Sequence, residues 1–202
     1  SGQRLNERYP WLQIEAWHGD FTHGLTHFVN SHDRTLYTFL GSSLGNFTPP
    51  EAAAFLTDIR AEMTGDDYFL LGVDLVKSSE VLNAAYNDNE GYTAAFNLNL
   101  LNVLNRELNA TFNTGHFRHH ARFNEQASRM EMHLVSCCDH SVEVRDLQLN
   151  VPFEADEHLT TEYSHKYTRD GIGNLLESAG FTPSRYYIDD DSRFMLALAT
   201  CA

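Results

Sequence analysis

Apolar residues change their spacing along this chain, and the change falls near Lys77. Before it they come in short, nearly unbroken runs. Residues 12–17 (LQIEAW) read as a strand candidate, and residues 35–40 (TLYTFL) and 68–76 (YFLLGVDLV) as strands buried on both faces. Between the last two lies a helix signal. Thr48 is a good N-cap, Pro49 suits the first helical position and Glu51 completes a capping box. Phe55, Ile59 and Met63 then share one helical face with Leu56 beside them, and Gly65 is expected to stop the helix. Strand, loop, helix, strand is the mark of a right-handed parallel unit, so the expected class is α/β.

After Lys77 the pattern alternates instead. A helical face runs through Phe96, Leu100, Val103, Leu104 and Leu108. Then Phe117, His119, Ala121 and Phe123 alternate with polar residues, as do Met130, Met132 and Leu134, then Val142 and Val144, then Leu147, Leu149, Val151 and Phe153. This predicts a helix and a half-buried antiparallel sheet. A helix over 168–179 closes at Gly180, and strands near 185–189 and 193–199 flank the turn at Asp189–Ser192. The expected organisation is an α/β core (1–77), an inserted α+β subdomain (78–165) and a return to the core (166–202).

Composition narrows the class. The 202 residues are 42% hydrophobic and 21% charged, enough to bury a core. A net charge of −14 repels phosphate backbones and anionic lipid, so neither nucleic acid nor membrane is an expected partner. No apolar run approaches the roughly 18 residues that span a bilayer. Cys137, Cys138 and Cys201 are odd in number and two are adjacent, the usage of a reducing cytoplasm.

Ligands of open α/β sheets bind beyond the carboxyl ends of the strands. Three segments fall there: Gly19-Asp20-Phe21, Gly41 to Asn46, and Asp74-Leu75-Val76-Lys77. Together with AYNDNEGYTAAFN and TEYSHKY, in that order, the set resembles the histidine-specific, S-adenosylmethionine-dependent methyltransferases of ergothioneine biosynthesis. The resemblance runs from about Tyr9 to the C-terminus. It implies a Rossmann-like core with a substrate-binding insertion, and trimethylation of the α-amine of histidine. By the same resemblance Asp20, Phe21 and Gly41 belong to the donor site, with Asp20 and Phe21 meeting its adenine. Asn46 and Tyr86 would hold the amino-acid head group, Glu162 and Ser164 the imidazole, and Thr93 and Met132 would line the pocket. The last polar pair also has a reason of its own. A period of two puts residues 162 and 164 on one face of an extended segment, and a neutral imidazole presents one N–H and one bare nitrogen to meet a carboxylate and a hydroxyl.

The family's first two strands and Gly-rich donor turn have no counterpart before Leu12. The core is therefore expected to be incomplete, completed by an N-terminal segment of the same protein or by a second chain, and the 202 residues alone are expected not to turn over. Without those strands the segment at 12–17 would lack a neighbour for its backbone groups. Two other readings stand beside the first: a relative acting on an indole-bearing amino acid, and a non-catalytic binding module. Metal-like spacings occur at His23 with His27, at His116 with His119 and His120, and at Cys137-Cys138 with His140. Gly24 weakens a helix at the first, and adjacent cysteines on a strand face opposite ways, so no metal site is expected.

Overall fold

The computed structural model describes residues 2–16, 18–21 and 34–202. Its main sheet has four strands in the order β1 (Leu36–Phe39), β2 (Tyr68–Asp74), β9 (Phe194–Cys201), β8 (Phe181–Ile188). β1 and β2 are parallel, joined through α2 (Pro49–Glu62), while β9 runs antiparallel to both of its neighbours. The α/β expectation holds. The capping box is present: the Glu51 carboxylate accepts from the Thr48 backbone N–H at 2.8 Å and from its hydroxyl at 2.7 Å. Ala52, Phe55, Leu56 and Ile59 bury one face of α2 against the sheet, and Ile172 and Leu176 of α5 (Arg169–Ser178) join the same core. Gly180 closes α5 with φ of +85°.

A second sheet, order β3 (Phe117–Asn124), β4 (Arg129–Ser136), β7 (His158–His165), is antiparallel throughout. A separate hairpin pairs β5 (His140–Val144) with β6 (Leu149–Phe153). The helices α3 (Ser79–Tyr86) and α4 (Tyr92–Glu107) complete this part of the chain. Leu82 of α3 packs on Ala121, Met130 and Met132, and Leu101 of α4 on Phe117, Leu134 and Val142.

Several expectations need correction. Residues 12–16 form no strand, and Trp17 lies outside the described residues. No strand among the described residues pairs with that segment, and an unpaired strand leaves its backbone groups unmet. The chain instead opens with a short helix, α1 (Gly2–Arg8). β1 is not buried on both faces: Leu36 is 54% exposed, and among the described residues no strand pairs with the outer edge of β1. α2 ends at Glu62, before Gly65, with Met63 already extended. The Leu147 end of the alternating run is a 3-10 turn over Arg145–Leu147, closed by Gln148 in the left-handed region. β8 begins at Phe181 and carries Pro183 on a sheet edge, next to a register shift where a missing N–H is tolerated.

Candidate functional site

Because β1 and β2 are parallel, their carboxyl ends open on the same side of the sheet. Beyond β1 the chain turns through Gly41 (φ +85°) and Ser42 (φ 61°) into a 3-10 turn, Ser43–Asn46. Beyond β2, the segment 166–167 returns from the second sheet and is stitched in: Tyr167 N–H donates to the Asp74 carbonyl, and Val76 N–H to the Tyr167 carbonyl, both at 3.0 Å. The Tyr167 hydroxyl donates to the Leu44 carbonyl at 3.2 Å. Gly45 lies so close to β7 that an added Cβ would stand 2.7 Å from the His165 carbonyl oxygen and 3.4 Å from Ser164 Oγ. Turn, strand end and β7 thus meet at one corner.

A lysine organises that corner. The Lys166 side chain is 1% exposed, and its ammonium donates to Asp74 Oδ2, Tyr86 Oη and Ser164 Oγ, each at 2.9 Å. All three ammonium protons are committed. Asp74 Oδ1 also receives Lys77, whose ammonium reaches the Arg193 carbonyl at 2.8 Å. Tyr86, the last residue of α3, donates its hydroxyl proton to Ser164 Oγ at 3.0 Å. Ser164 Oγ therefore accepts twice, which leaves its own proton as the one it can still offer. The network fixes Ser164 as a donor.

Glu162 shares the Ser164 face of β7. Met132 lies directly opposite it on β4, and Met130 opposite Ser164, with a register shift beside Thr161. Across a groove of about 240 Å³, Glu162 and Thr161 face Phe96, Asn97, Leu100 and Val103 of α4. Among the described residues the Glu162 carboxylate receives no hydrogen bond. Burial pushes its pKa above the usual carboxylate value, and the Lys166 charge pulls the other way.

The structure brings together Tyr86, Ser164 and Glu162, and seats the turn bearing Asn46 against Ser164. Asn46 itself is exposed at the end of that turn, two residues before the helix N-cap. Thr93 is half-buried one turn before Asn97 on α4, and hydrogen bonds from its side chain and then its backbone N–H hold the Asp88 carboxyl down at about 2. Met132 is buried in the cluster with Leu82 of α3 and does not line the groove. Asp20 and Phe21 lie apart from this corner in sequence, Phe21 packing on β1 and α2, and Gly41 opens the turn after β1. The half-exposed Phe21 ring packs 5.7 Å from Phe39 and 6.0 Å from Phe55, and Asp20 is exposed. Lys166 was missed by sequence reasoning, although the alternation 162, 164, 166 places it on the same face.

A parallel β-α-β unit with a polar, partly buried corner beyond its strand ends defines an α/β fold with a candidate ligand site at that corner. A family model described as "Histidine-specific methyltransferase, SAM-dependent" matches residues 1–201, and the chain belongs to that family. It is 41% identical over 195 residues to a histidine N-alpha-methyltransferase of Mycobacterium tuberculosis, covering 96% of this chain and 60% of that protein. It is 39% identical over 199 residues to the protein of the same name from Mycolicibacterium smegmatis, covering 98% and 62%. An L-tryptophan methyltransferase of Psilocybe serbica is 27% identical over 164 residues, covering 78% and 44%. The chain thus spans about three-fifths of the two histidine methyltransferases it matches.

Proposed function

We propose that this chain carries the histidine-binding half of an S-adenosylmethionine-dependent enzyme that methylates the α-amine of histidine, through to the trimethylated betaine. In this reading residues 78–165 are a substrate subdomain set into a core made of 1–77 and 166–202. The observation that carries it is the pairing of a fixed donor, Ser164, with a half-buried acceptor, Glu162, on one strand face. A neutral imidazole offers one bare nitrogen to the first and one N–H to the second. An indole has an N–H and no bare nitrogen, so it would leave the Ser164 proton unmet; this favours histidine over an indole-bearing amino acid.

Asn46 and Tyr86 would hold the head group, the amide offering both a donor and an acceptor. Asp20, Phe21 and Gly41 would hold the donor, which supplies a methyl already activated on a sulfonium. The protein's own task is alignment: an unprotonated amine held in line at about 3–3.5 Å. A free α-amine is largely protonated at neutral pH, so a proton must leave before each transfer. Among the described residues no strand pairs with the outer edge of β1, and Leu36 and Leu40 are about half exposed; this supports a core that further strands complete, and hence little turnover from these residues alone.

Glu162→Ala tests the assignment. It should raise the Michaelis constant for histidine at least tenfold while leaving that for the methyl donor within about twofold, a loss of the size expected for a hydrogen bond to a charged group. Equal damage to both constants would remove the imidazole role.

A further inference from the structure

Away from this site, at the junction of the second sheet and the β5–β6 hairpin, His116, Cys138 and His140 converge. One ligand atom from each lies within 4.8 Å of the others. His140 is held as a ligand would be. Its Nδ1 sits 2.9 Å from the Cys138 carbonyl oxygen, which can only accept, so Nδ1 carries the proton and Nε2 is bare. The ring stacks on Phe153 at 5.3 Å and meets Phe117 edge-on, which fixes its plane. Nε2 of His140 and Nδ1 of His116 are both buried and without a hydrogen-bond partner. A bare ring nitrogen out of water is costly unless something fills the space before it.

The three groups are close enough to share an ion, yet neither buried nitrogen is hydrogen-bonded to the thiol or to the other ring. An imidazole whose far nitrogen donates to a backbone carbonyl is the usual outer-shell arrangement of a metal-bound histidine. Two imidazoles and a thiolate suit a borderline-soft divalent ion. Cys137 takes no part: it is exposed, with its sulfur toward the Val135 carbonyl at 3.9 Å. The opposed directions of adjacent cysteines therefore leave Cys138 free to serve alone.

We propose that His116, Cys138 and His140 form a three-ligand site for zinc or a similar divalent cation, with water or an added ligand in the fourth position. The side chains would draw in to bond lengths of about 2.0–2.3 Å. Binding releases the Cys138 thiol proton to solvent. The thiolate and two neutral imidazole nitrogens donate the electron pairs, and no oxidation state changes. The ion would tie the first residue of β5 and the loop after β4 to the turn that starts β3, a structural role at the base of the hairpin.

The test uses the purified protein, stripped with a chelator and titrated with cobalt(II), then zinc(II). One equivalent of cobalt per chain should bind with a thiolate-to-cobalt charge-transfer band, and zinc should abolish that band. In the unmutated protein, zinc should protect Cys138 from iodoacetamide at least tenfold while Cys137 reacts as before. Cys138→Ser should lose the band, and His140→Gln should weaken binding at least tenfold; Cys137→Ser should change neither. No stoichiometric uptake, equal labelling of Cys138 with and without zinc, or loss of the band in Cys137→Ser would each overturn the site.

Discussion

Lys166 is buried, yet each of its three protons has an oxygen to meet, and two of those oxygens belong to Tyr86 and Ser164. Removing it would leave both hydroxyls without their charged donor and Asp74 with Lys77 alone. Lys166→Met is expected to cost about 2 kcal/mol of stability, read from the denaturation midpoint. Because Ser164 would then be free to accept as well as to donate, the same variant should bind histidine less selectively over analogues lacking the bare ring nitrogen. Glu162 gives the opposite balance. Its pKa is raised by burial, so the folded state holds the proton more tightly than the unfolded chain does. The stability tied to that proton is present below the ordinary carboxylate pKa and lost as pH rises through the folded value. Glu162→Gln should therefore melt higher than the unmutated protein at neutral pH while binding histidine more weakly. A lower melting point would contradict the burial argument. At this scale the alternation put Glu162, Ser164 and Lys166 on one face, but only the first two stood out as chemistry, because a lysine reads by default as solvated.

Among the elements, the 3-10 turn Ser43–Asn46 sets how Asn46 approaches β7, and Gly45 sets how closely. A methyl group there meets the backbone carbonyl of His165 at 2.7 Å, an atom that cannot swing aside. Gly45→Ala should cost about 1–3 kcal/mol by forcing turn and strand apart, and should weaken histidine binding although residue 45 offers the ligand no side chain. Unchanged affinity would mean that Asn46 acts independently of that contact. The capped helix and the parallel pair were legible in the sequence, since local signals specify them: a Thr-Pro-Pro-Glu start and two unbroken apolar runs. The segment at 12–17 was not, because its apolar pattern suits a strand but strand formation depends on a neighbour outside the segment. α3 and its terminal Tyr86 were legible only as a motif, since eight residues carry too short a period to stand out.

Across the molecule, two sheets of different style hold the halves of one corner, and the second carries a buried charge of its own. Glu131, on β4, is buried, which alone would raise its pKa, yet hydrogen bonds from Arg129, Asn124 and Arg122 bring it down to about 2. Its contribution to stability is therefore present above the ordinary carboxylate pKa and lost as pH falls toward about 2. Glu131→Gln should destabilise the protein at pH 7, with a difference that shrinks steadily below pH 4 and should be visible in melting curves taken across that range. Recognition of histidine at the corner joining the two sheets, as proposed above, is tested by giving the whole protein S-adenosylmethionine labelled in the methyl group, with equal L-histidine and L-tryptophan, and following the label by mass spectrometry. Label on the α-nitrogen of histidine, up to three methyl groups, is the predicted result; label on tryptophan, or on neither amino acid, would contradict it.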